Sequence, residues 1–512
     1  MFSNILPSGL WTATLAILAY PLLRIIYNLY FHPLSNIPGP RAWAASRLPF
    51  IRSLVKGTII HDFQRLHEQY GPIIRIAPNE VTFAHPDAWA DIYQPRPNKP
   101  QFLKDPIWWA HPPGTADSLL SAINPEKHAH MRRILTPGFT QRALRAQEPF
   151  VQKYVNLLIA QLHDVVKDGR CKTTSKSGTA HVDMTPWLNY TTFDIFGDLG
   201  FGESFDCLQH SRYHSWIELL FSTVKVAVFA IAARYYPLIE FILLKCIPPS
   251  MRKLQENHYQ QIVDKVQQRL SWELQRADVM SHIVDEDGET KLPAGELYAT
   301  FMILTTAGSE TTATVLTGTF NYLVNSPACL KQLESEVRAA FSSLDDITLD
   351  AVRNLPYLNA VIQEGLRLCP PIPWILPRLV PEGGEVVCGT WLPGGTPVSM
   401  QAYTLHRDPT RFHQASTFHP ERWLESSTSD PISPFFNDQL HVVQSFSAGP
   451  RACLGERLAW AELRLILAKL LWAFDFAVVE DQRVRWEDLR TFLLVERRPL
   501  VVTAGLREER GL

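Results

Sequence analysis

The fold is decided by the stretch Phe446-Ser447-Ala448-Gly449-Pro450-Arg451-Ala452-Cys453-Leu454-Gly455, in which turn-forming residues surround one cysteine. Glycine lets the backbone turn tightly and approach a flat ligand closely. A helix predicted to begin near Glu456 would point its first amides toward the sulfur, and those donors together with the helix dipole favour a thiolate over a thiol. The alternative is a buried free cysteine in a loop, the ordinary state of an isolated thiol.

The other cysteines point to no site of their own. The chain has seven, at wide spacings and without a Cys-x-x-Cys pair. An odd number so placed argues against a disulfide framework or a structural zinc site. This usage fits a reducing compartment, in which most of these thiols would be small buried residues.

A second signal lies inside an apolar helical pattern, Ala307-Gly308-Ser309-Glu310-Thr311-Thr312. Glycine destabilises a helix interior, so Gly308 needs a reason. An acid beside a hydroxyl among apolar residues needs a partner. The alternative is a Gly/Thr packing patch with Glu310 at the surface.

A third signal is Glu364-Gly365-Leu366-Arg367, an acid and a base three residues apart on a predicted helix. Such pairs are usually solvated, and Glu273–Arg276 and Glu487–Arg490 have the same spacing. Glu364 and Arg367 differ because apolar residues surround them, and Pro420-Glu421-Arg422-Trp423 follows farther along the chain.

Together these motifs resemble the cytochrome P450 family, whose haem-binding loop has the pattern Phe-x-x-Gly-x-Arg-x-Cys-x-Gly. The resemblance covers about Pro38 to Leu506, in the family's order. Segments such as Asp194 to Gly202 and Leu405-His406-Arg407-Asp408-Pro409 are similar to the filamentous-fungal microsomal branch. The resemblance to this family implies a mainly α fold with a minor β part, the cytochrome P450 fold.

The resemblance assigns haem b as the cofactor, with Cys453 as the axial ligand of its iron. A thiolate ligand pushes electron density onto the iron and favours O–O cleavage. Phe446 and Gly455 would line the haem. Arg132, Arg378 and Arg451 match the family's propionate partners, and His128 stands where the family often has tryptophan. For His128 and Arg132 the alternative is an ordinary charged helix face.

The same resemblance gives roles to the second and third signals. Thr311 would position the iron-bound oxygen, and Glu310 would help relay protons to it by general acid catalysis. Glu364, Arg367 and Arg422 would form a buried structural cluster that locks the loop leading to Cys453. Arginine suits that role because its planar fork can hold a carboxylate and carbonyls together.

The first thirty residues predict a membrane anchor. Met1 to Leu23 has no charged side chain, and Leu10 to Phe31 is about long enough to cross a bilayer as a helix. The basic residues that follow put the rest of the chain in the cytosol. Pro21 and Arg24 weaken the span, so a tilted or partly interfacial helix is one alternative, and a cleaved signal peptide is another.

The expected organisation is an anchor with the start of a hinge at 1–36 and one haem-thiolate catalytic domain at 37–512. Ile37-Pro38-Gly39-Pro40 is a stiff, helix-breaking hinge. The pattern predicts a hairpin from Ile73–Ile76 and Val81–Phe83, and strand-like pieces at Glu385–Val387 and Thr396–Met400. The predicted helices include Gln147–Val166, Met251–Val284, Leu297–Asn325 and Glu456–Ala473.

The near-neutral composition, with 49 Lys plus Arg against 51 Asp plus Glu, argues against a nucleic-acid partner. The chain has no Gly-rich dinucleotide loop, so electrons would come from NADPH-cytochrome P450 reductase, with cytochrome b5 as a further candidate donor. Lys127, Arg133, Arg142 and Arg145 would dock its acidic surface, unless they are plain solvated helix surface. We expect a monomer in the endoplasmic reticulum membrane, single-pass, with a cytosolic catalytic domain.

Five apolar stretches match the family's substrate-contact regions, and they predict a hydrophobic substrate, in particular a terpenoid or polyketide intermediate of fungal secondary metabolism. Ordinary core packing explains any single residue in them equally well. The stretches are Trp108–Leu120, Phe221–Leu243, Ile303–Thr306, Ile372–Leu376 and Thr491–Val495, with the aromatic residues Trp108, Trp109, Phe229, Trp374 and Phe492.

Other functions stay open at this point. The enzyme would be a monooxygenase that hydroxylates this substrate, or a hydroxylase that detoxifies xenobiotics or fatty acids. A haem-thiolate isomerase often lacks the helix threonine, whereas Thr311 is present here. A haem sensor or electron carrier would not need the Glu310–Thr311 pair, and the cysteine loop argues against a membrane protein without haem.

Overall fold

The structure is a computed structural model that describes residues 19–507 except 112–113, 168–178, 214, 273–275, 286–288 and 375–376, with the backbone alone at 215–224. Helices dominate it. They are α1 (19–30), α2 (Arg41–Ala45), α3 (Leu48–Lys56), α4 (Ile59–Tyr70), α5 (Pro106–Trp109), α6 (Pro125–Leu135), α7 (Gln141–Lys167), α8 (Met184–Phe201), α9 (Cys207–His210), α10 (Ser215–Arg234), α11 (Pro237–Cys246), α12 (Pro249–Leu270), α13 (Ala294–Val324), α14 (Pro327–Ala340), α15 (Pro356–Leu368), α16 (Ala402–Leu405), α17 (Glu425–Thr428) and α18 (Glu456–Ala473).

The strands are short. They are β1 (Ile73–Ala77), β2 (Glu80–Phe83), β3 (Leu103–Lys104), β4 (Thr179–Asp183), β5 (Arg378–Leu379), β6 (Glu385–Val387), β7 (Thr390–Leu392), β8 (Pro397–Met400), β9 (Phe474–Val478) and β10 (Val501–Leu506). The contacts divide the chain into two compact units, one of residues 1–105 and 374–405, the other of residues 106–373 and 406–512. The predicted anchor and domain bounds stay predictions.

The first unit is built on a five-stranded sheet in the order β1-β2-β8-β5-β3, with β6 and β7 as a separate hairpin. β1 and β2 pair antiparallel with Ile73 opposite Phe83, as the predicted hairpin requires. β2 and β8 pair in parallel although they are far apart in sequence. Phe50 on α3 and Phe63 on α4 have no exposed surface, and their ring centres lie 6.2 Å apart.

The second unit is a helical body around α13. This helix runs for 31 residues, and most of its side chains are buried. It packs on α8, in which every residue but Thr185 and Pro186 is buried. A three-stranded antiparallel sheet, β4-β10-β9, closes one side of this body. The mainly helical prediction with a minor sheet is therefore confirmed.

Most predicted elements are present, with one clear error. α7, α13 and α18 confirm their predicted helices, and α18 has the predicted bounds. The helix predicted over Met251–Val284 ends instead at Leu270. The buried ion pair of Arg269 with Asp278, 2.8 Å between Nε and Oδ2, folds the following segment back against the helix.

The predicted transmembrane helix is not confirmed. Of the stretch Leu10–Phe31, residues 10–18 lie outside the described part, and residues 19–30 form α1. Within the described ranges, no helix is both long enough and apolar enough to cross a membrane. The end of α1 is fixed to the first unit, because the amide of Asn28 donates to the carbonyl of Ala45 at 2.9 Å.

Close packing accounts for the glycine inside α13. A Cβ added at Gly308 would lie 2.7 Å from Cδ2 of Phe196 on α8, closer than non-bonded carbons approach. Phe196 is 1% exposed and cannot move into solvent. Gly308 therefore lets α13 and α8 approach closely, and the destabilising effect of glycine in a helix is offset by that packing.

We expect Gly308→Ala to lower the free energy of unfolding by about 1–3 kcal/mol, the usual effect of overpacking a rigid core. Thermal unfolding followed by circular dichroism measures this change. The double variant Gly308→Ala with Phe196→Leu is the control, because leucine removes the ring atoms that the new methyl group meets. A stable Gly308→Ala single variant would show that Phe196 is not the constraint.

Candidate functional site

The cysteine loop is held by its own backbone. The amide of Cys453 donates to the carbonyl of Phe446 at 2.8 Å, and the amide of Ala452 donates to Gly449 at 3.0 Å. Ser447 and Gly449 both have positive φ, of 63° and 75°. This turn brings Cys453 to the start of α18, with Gly455 at the helix N-cap.

The surroundings of the Cys453 thiol act in opposite directions. Burial raises its pKa and the carboxylate of Glu456 raises it further, whereas the amides of Gly455 and Glu456 and the guanidinium of Arg132 lower it. The helix amides thus favour the thiolate as expected, but burial outweighs them and the net pKa is raised. A bound metal cation would have to displace the proton, which coordination to a thiol does.

The residues around Cys453 fit a flat, anionic, iron-containing group. Cys453 is solvent-exposed, although protein groups surround its thiol closely enough to raise its pKa by desolvation. A Cβ added at Gly455 would meet no atom within 4 Å, which leaves that side open to a planar ligand. The soft thiolate is a ligand that haem iron accepts.

The predicted propionate partners are placed in both units. In the second unit, Arg132 donates to the carbonyl of Ala452 at 2.6 Å, and Arg451 donates to Ala122 at 2.6 Å and to Ile123 at 2.8 Å. His128 is buried on α6, four residues before Arg132. In the first unit, Arg378 is buried on β5 with its guanidinium 5.3 Å from the ring of Tyr93.

The Thr311 hydroxyl lies on an open stretch of α13. It donates to the carbonyl of Ala307 at 2.6 Å. Ala307 is exposed and Thr311 half-buried, although their helix is otherwise among the most buried elements. Ile303, Ala307 and Thr311 follow each other at four-residue spacing, so they share one face of the helix. This face is less buried than the rest of the helix, and we call it the α13 groove.

Glu310 faces away from that groove and is buried. Its Oε1 accepts from Nη2 of Arg497 at 2.5 Å, and the other amino group of Arg497 donates to Asn189 at 2.9 Å. Oε2 of Glu310 has no hydrogen-bond partner among the described residues. Glu310 directly precedes Thr311 in sequence, but in the structure its carboxylate is held in an ion pair with Arg497.

The structure brings Glu364, Arg367 and Arg422 together in a core without exposed surface. Arg367 donates twice to Glu364, at 2.7 and 2.8 Å, and Arg422 donates at 3.1 Å. Burial raises the pKa of Glu364, but the two guanidinium groups and the amide of His419 outweigh it and lower that pKa to about 2. The carboxylate is thus ionised and fully paired.

This cluster is connected to the segment before Cys453. Arg367 donates to the carbonyls of His406 and Ala415, both at 2.5 Å. The hydroxyl of Ser445, next to Phe446, donates to the carbonyl of Leu366 at 3.0 Å. α15 therefore supports both the chain after His406 and the start of the cysteine loop.

The predicted substrate-contact aromatics have different surroundings. Trp108 is buried, and its indole donates to Tyr235 at 2.8 Å. Phe492 lies beneath the ammonium group of Lys225, 5.5 Å from the ring centre. Phe229 is 53% exposed, on the outer surface of α10. Trp374 packs edge-on against Phe63 at 5.6 Å in the core of the first unit, which is the core-packing alternative.

The predicted docking residues are also unequal. Lys127 is engaged by Asp117 at 2.8 Å and by Glu296 at 3.0 Å, so its charge is already balanced. Arg145 pairs with Asp350 at 3.1 Å. Arg133 and Arg142 are exposed. The two last residues are the better candidates for an acidic partner.

Sequence reasoning missed several polar residues of the site. Arg497 holds Glu310, the indole of Trp423 donates to Glu364 at 2.9 Å, and Asp438 pairs with Arg422. Their sequence positions gave no signal. Glu462 could have been found, because it occupies the apolar face of α18 between Leu458 and Leu465.

Comparison with known proteins gives the same family throughout. The sequence model of the family Cytochrome P450 matches residues 37–503. Cytochrome P450 monooxygenase astJ of Aspergillus oryzae is 38% identical over 484 residues, 94% of each chain. Cytochrome P450 monooxygenase atr2 of Stereocaulon alpinum is 37% identical over 511 residues, 99% of this chain and 98% of the relative. Averantin hydroxylase of Dothistroma septosporum is 41% identical over 465 residues, 90% of this chain and 84% of the relative.

We expect Glu364→Gln to destabilise the protein by about 3–5 kcal/mol, because it leaves two buried guanidinium groups without their carboxylate. The folded pKa of about 2 lies below the ordinary value of 4.5, so this stabilisation is complete above pH 4.5 and is lost as the pH falls toward 2. The unfolding midpoints of wild type and variant, measured from pH 7 to pH 2, should therefore converge in acid.

The matched control is Glu480→Gln. Glu480 and Arg483 form a pair with the same three-residue spacing, 2.6 Å apart, but their side chains are 74% and 47% exposed. Its loss should leave the unfolding midpoint unchanged. Equal effects of the two substitutions, or a pH-independent gap for Glu364→Gln, would contradict the electrostatic role of the buried cluster.

Proposed function

The chain belongs to the cytochrome P450 family and is a haem-thiolate monooxygenase, and on that premise we propose that it hydroxylates a hydrophobic intermediate of fungal secondary metabolism, with Cys453 as the iron ligand. The observation that carries the proposal is the Cys453 loop, whose backbone turn, open glycine and neighbouring cations fit a haem. The bound haem would supply the activation of dioxygen and its transfer to an unreactive C–H bond.

The chain's own residues would hold and orient the haem and supply the protons that the reaction needs. Cys453 would be the ligand, and Gly455 would let the macrocycle approach. Arg132 donates to the carbonyl of Ala452 and Arg451 belongs to the loop itself, and each would exchange a backbone carbonyl for a propionate. Arg378 and His128 complete the proposed set.

Thr311 would hold and pass on a proton with its hydroxyl, which donates to the carbonyl of Ala307 in this structure. Glu310 would deliver protons after leaving Arg497, since the two residues are paired in this structure. Glu364, Arg367 and Arg422 would act only through the loop, by keeping Cys453 at a fixed position. These roles follow the family pattern and the contacts described above.

For the substrate we propose a terpenoid or polyketide. The half-buried face of α13 and the apolar segments around Trp108 and Phe492 support a hydrophobic ligand. The relative named averantin hydroxylase supports hydroxylation of a discrete small molecule. We further propose NADPH-cytochrome P450 reductase as the electron donor to a monomeric enzyme, docked by Arg133 and Arg142, with cytochrome b5 as an additional donor.

We also propose attachment to the endoplasmic reticulum membrane, with the catalytic part in the cytosol. Two described helices support it, each in its own unit. α1 exposes Leu22, Leu23 and Tyr30 at 59–66%. α11 has no buried residue, and Leu238 and Phe241 are 72% and 56% exposed. Exposed apolar faces of this kind insert into the lipid interface.

We expect compounds that bind near the iron to gain one oxygen atom from dioxygen when NADPH and the reductase are supplied. Incubation under ¹⁸O₂ with a panel of terpenoids and aromatic polyketides, followed by mass spectrometry, measures it. Thr311→Ala should keep the haem but lower product formation by roughly 10²-fold, the lower end for a positioned proton-transfer group, and release hydrogen peroxide instead.

Thr317→Ala is the control, because Thr317 donates to the carbonyl four residues back in the same way, at 2.7 Å, but is buried. It should leave the ratio of peroxide to NADPH unchanged. An unlabelled product in the wild type would contradict the monooxygenase proposal for this chain, and unchanged coupling in Thr311→Ala would remove the role of Thr311.

We expect both apolar helices to contribute to membrane binding. Deletion of residues 1–26 keeps the Asn28–Ala45 contact and should weaken flotation with phospholipid vesicles, and addition of Leu238→Asp and Phe241→Asp should abolish it. Ile432→Asp is the control, since Ile432 is 91% exposed and lies on neither helix. Full flotation of the deleted and doubly substituted protein would overturn the proposal.

A further inference from the structure

The helix that follows Cys453 carries a carboxyl group with no role in the account above. Glu462 is 1% exposed in the middle of α18. Neither carboxyl oxygen meets the geometry of a hydrogen bond with a described residue, although the Thr312 hydroxyl is close enough to lower the pKa of the group. Buried polar groups are nearly always hydrogen-bonded, so two orphaned oxygens on one side chain need a functional explanation.

The surroundings of the Glu462 carboxyl favour its protonated form. Burial raises its pKa well above the usual range, and the hydroxyl of Thr312 lowers it only in part. No described cation forms an ion pair with it, in contrast to Glu310, which is held by Arg497. A carboxyl group kept neutral by an apolar site can act as an acid at neutral pH.

Thr312 connects this acid to the oxygen side of α13. It directly follows Thr311, and its hydroxyl lies 3.3 Å from the carbonyl of Gly308. Thr312 is buried, whereas Gly308 is half-buried and next to the exposed Ala307. The Thr312 hydroxyl thus acts on the Glu462 carboxyl and also contacts the half-buried turn of α13 at Gly308, beside Ala307.

Resting on the proposed function, we propose that Glu462 is a second proton donor for the reaction, separate from Glu310, and that its proton reaches the groove through Thr312. The O–H bond of Glu462 breaks as the Thr312 oxygen takes that proton and passes its own proton to a water molecule in the groove. A solvent proton returning through the same hydroxyl restores the acid, and no electrons move.

The first test is the protonation state of Glu462 in the haem-loaded protein. Infrared spectra of the wild type should contain a protonated carboxyl band that shifts in D₂O and is absent from Glu462→Gln. A band that persists in Glu462→Gln, or no such band in the wild type, overturns the proposal independently of turnover.

The second test is how tightly NADPH oxidation is coupled to product formation. Glu462→Gln keeps the shape of the side chain but is no acid, so it should release several-fold more peroxide per NADPH oxidised and change the solvent isotope effect. Thr312→Val should do the same, and Thr312→Ser, which keeps the hydroxyl, should restore coupling. Glu462→Met is a second variant in case Glu462→Gln does not fold. Methionine removes the unpaired carboxyl oxygens, so it should raise the melting midpoint. It carries no acid, so it should still release more peroxide per NADPH oxidised.

The outcomes separate this inference from the proposed function. If Thr311→Ala uncouples the enzyme while Glu462→Gln and Thr312→Val have the wild-type peroxide ratio and isotope effect, Glu462 is only a buried structural acid. If no labelled oxygen enters any product and Thr311→Ala changes nothing, the proposed function has failed instead.

Discussion

The ion cluster around the Glu364 carboxylate is the interaction on which the cysteine side of the molecule depends. One buried anion is shared by Arg367 and Arg422, and the spare donors of these arginines hold the carbonyls of His406, Ala415 and His413. Removing charges from water is unfavourable, so such a cluster persists only when each member is fully paired. Its effect is to fix the chain between α16 and the cysteine loop, where the four-residue α17 is the one α-helix among the described residues.

That segment ends in the cysteine loop, where the backbone turn itself positions the proposed iron ligand. The turn from Phe446 to Gly455 fixes the sulfur of Cys453 relative to α18, and Ser445 ties the turn back to α15. The loop is therefore held from both ends. A ligand to a metal must be placed within a fraction of an ångström, and rigid support from second contacts supplies that accuracy.

α13 contributes to the second unit in a different way, through packing on one face and a less buried surface on another. Gly308 lets it approach α8, while Ala307 and Thr311 leave a groove open on another face. Two acids lie near this stretch in contrasting surroundings, because Glu310 is paired with Arg497, whereas Glu462 forms no ion pair with a described cation and burial raises its pKa. A buried carboxyl group with a raised pKa is typical of sites that move protons.

The sequence predicted those features that depend on local pattern. The β1–β2 hairpin and the bounds of α18 follow from turn residues and periodicity, and the residue sets around Cys453 and Glu364 follow from motif resemblance. The sequence did not predict which side chains pair across long separations in the chain. Nothing near Glu310 indicates that Arg497, 187 residues away, would pair with it. Likewise, the Arg269–Asp278 pair ended α12 early, and packing on Phe63 placed Trp374 in a core. These outcomes depend on which surfaces tertiary packing brings together.

The measurement that tests the central claim most directly is the absorption spectrum of the reduced, carbon monoxide-bound protein, wild type against Cys453→Ala, with Cys246→Ala as the exposed-cysteine control. A thiolate ligand at Cys453 predicts a strongly red-shifted Soret band in the wild type and in Cys246→Ala, and none in Cys453→Ala. A red-shifted band retained by Cys453→Ala would show that another residue ligates the iron and would contradict this account.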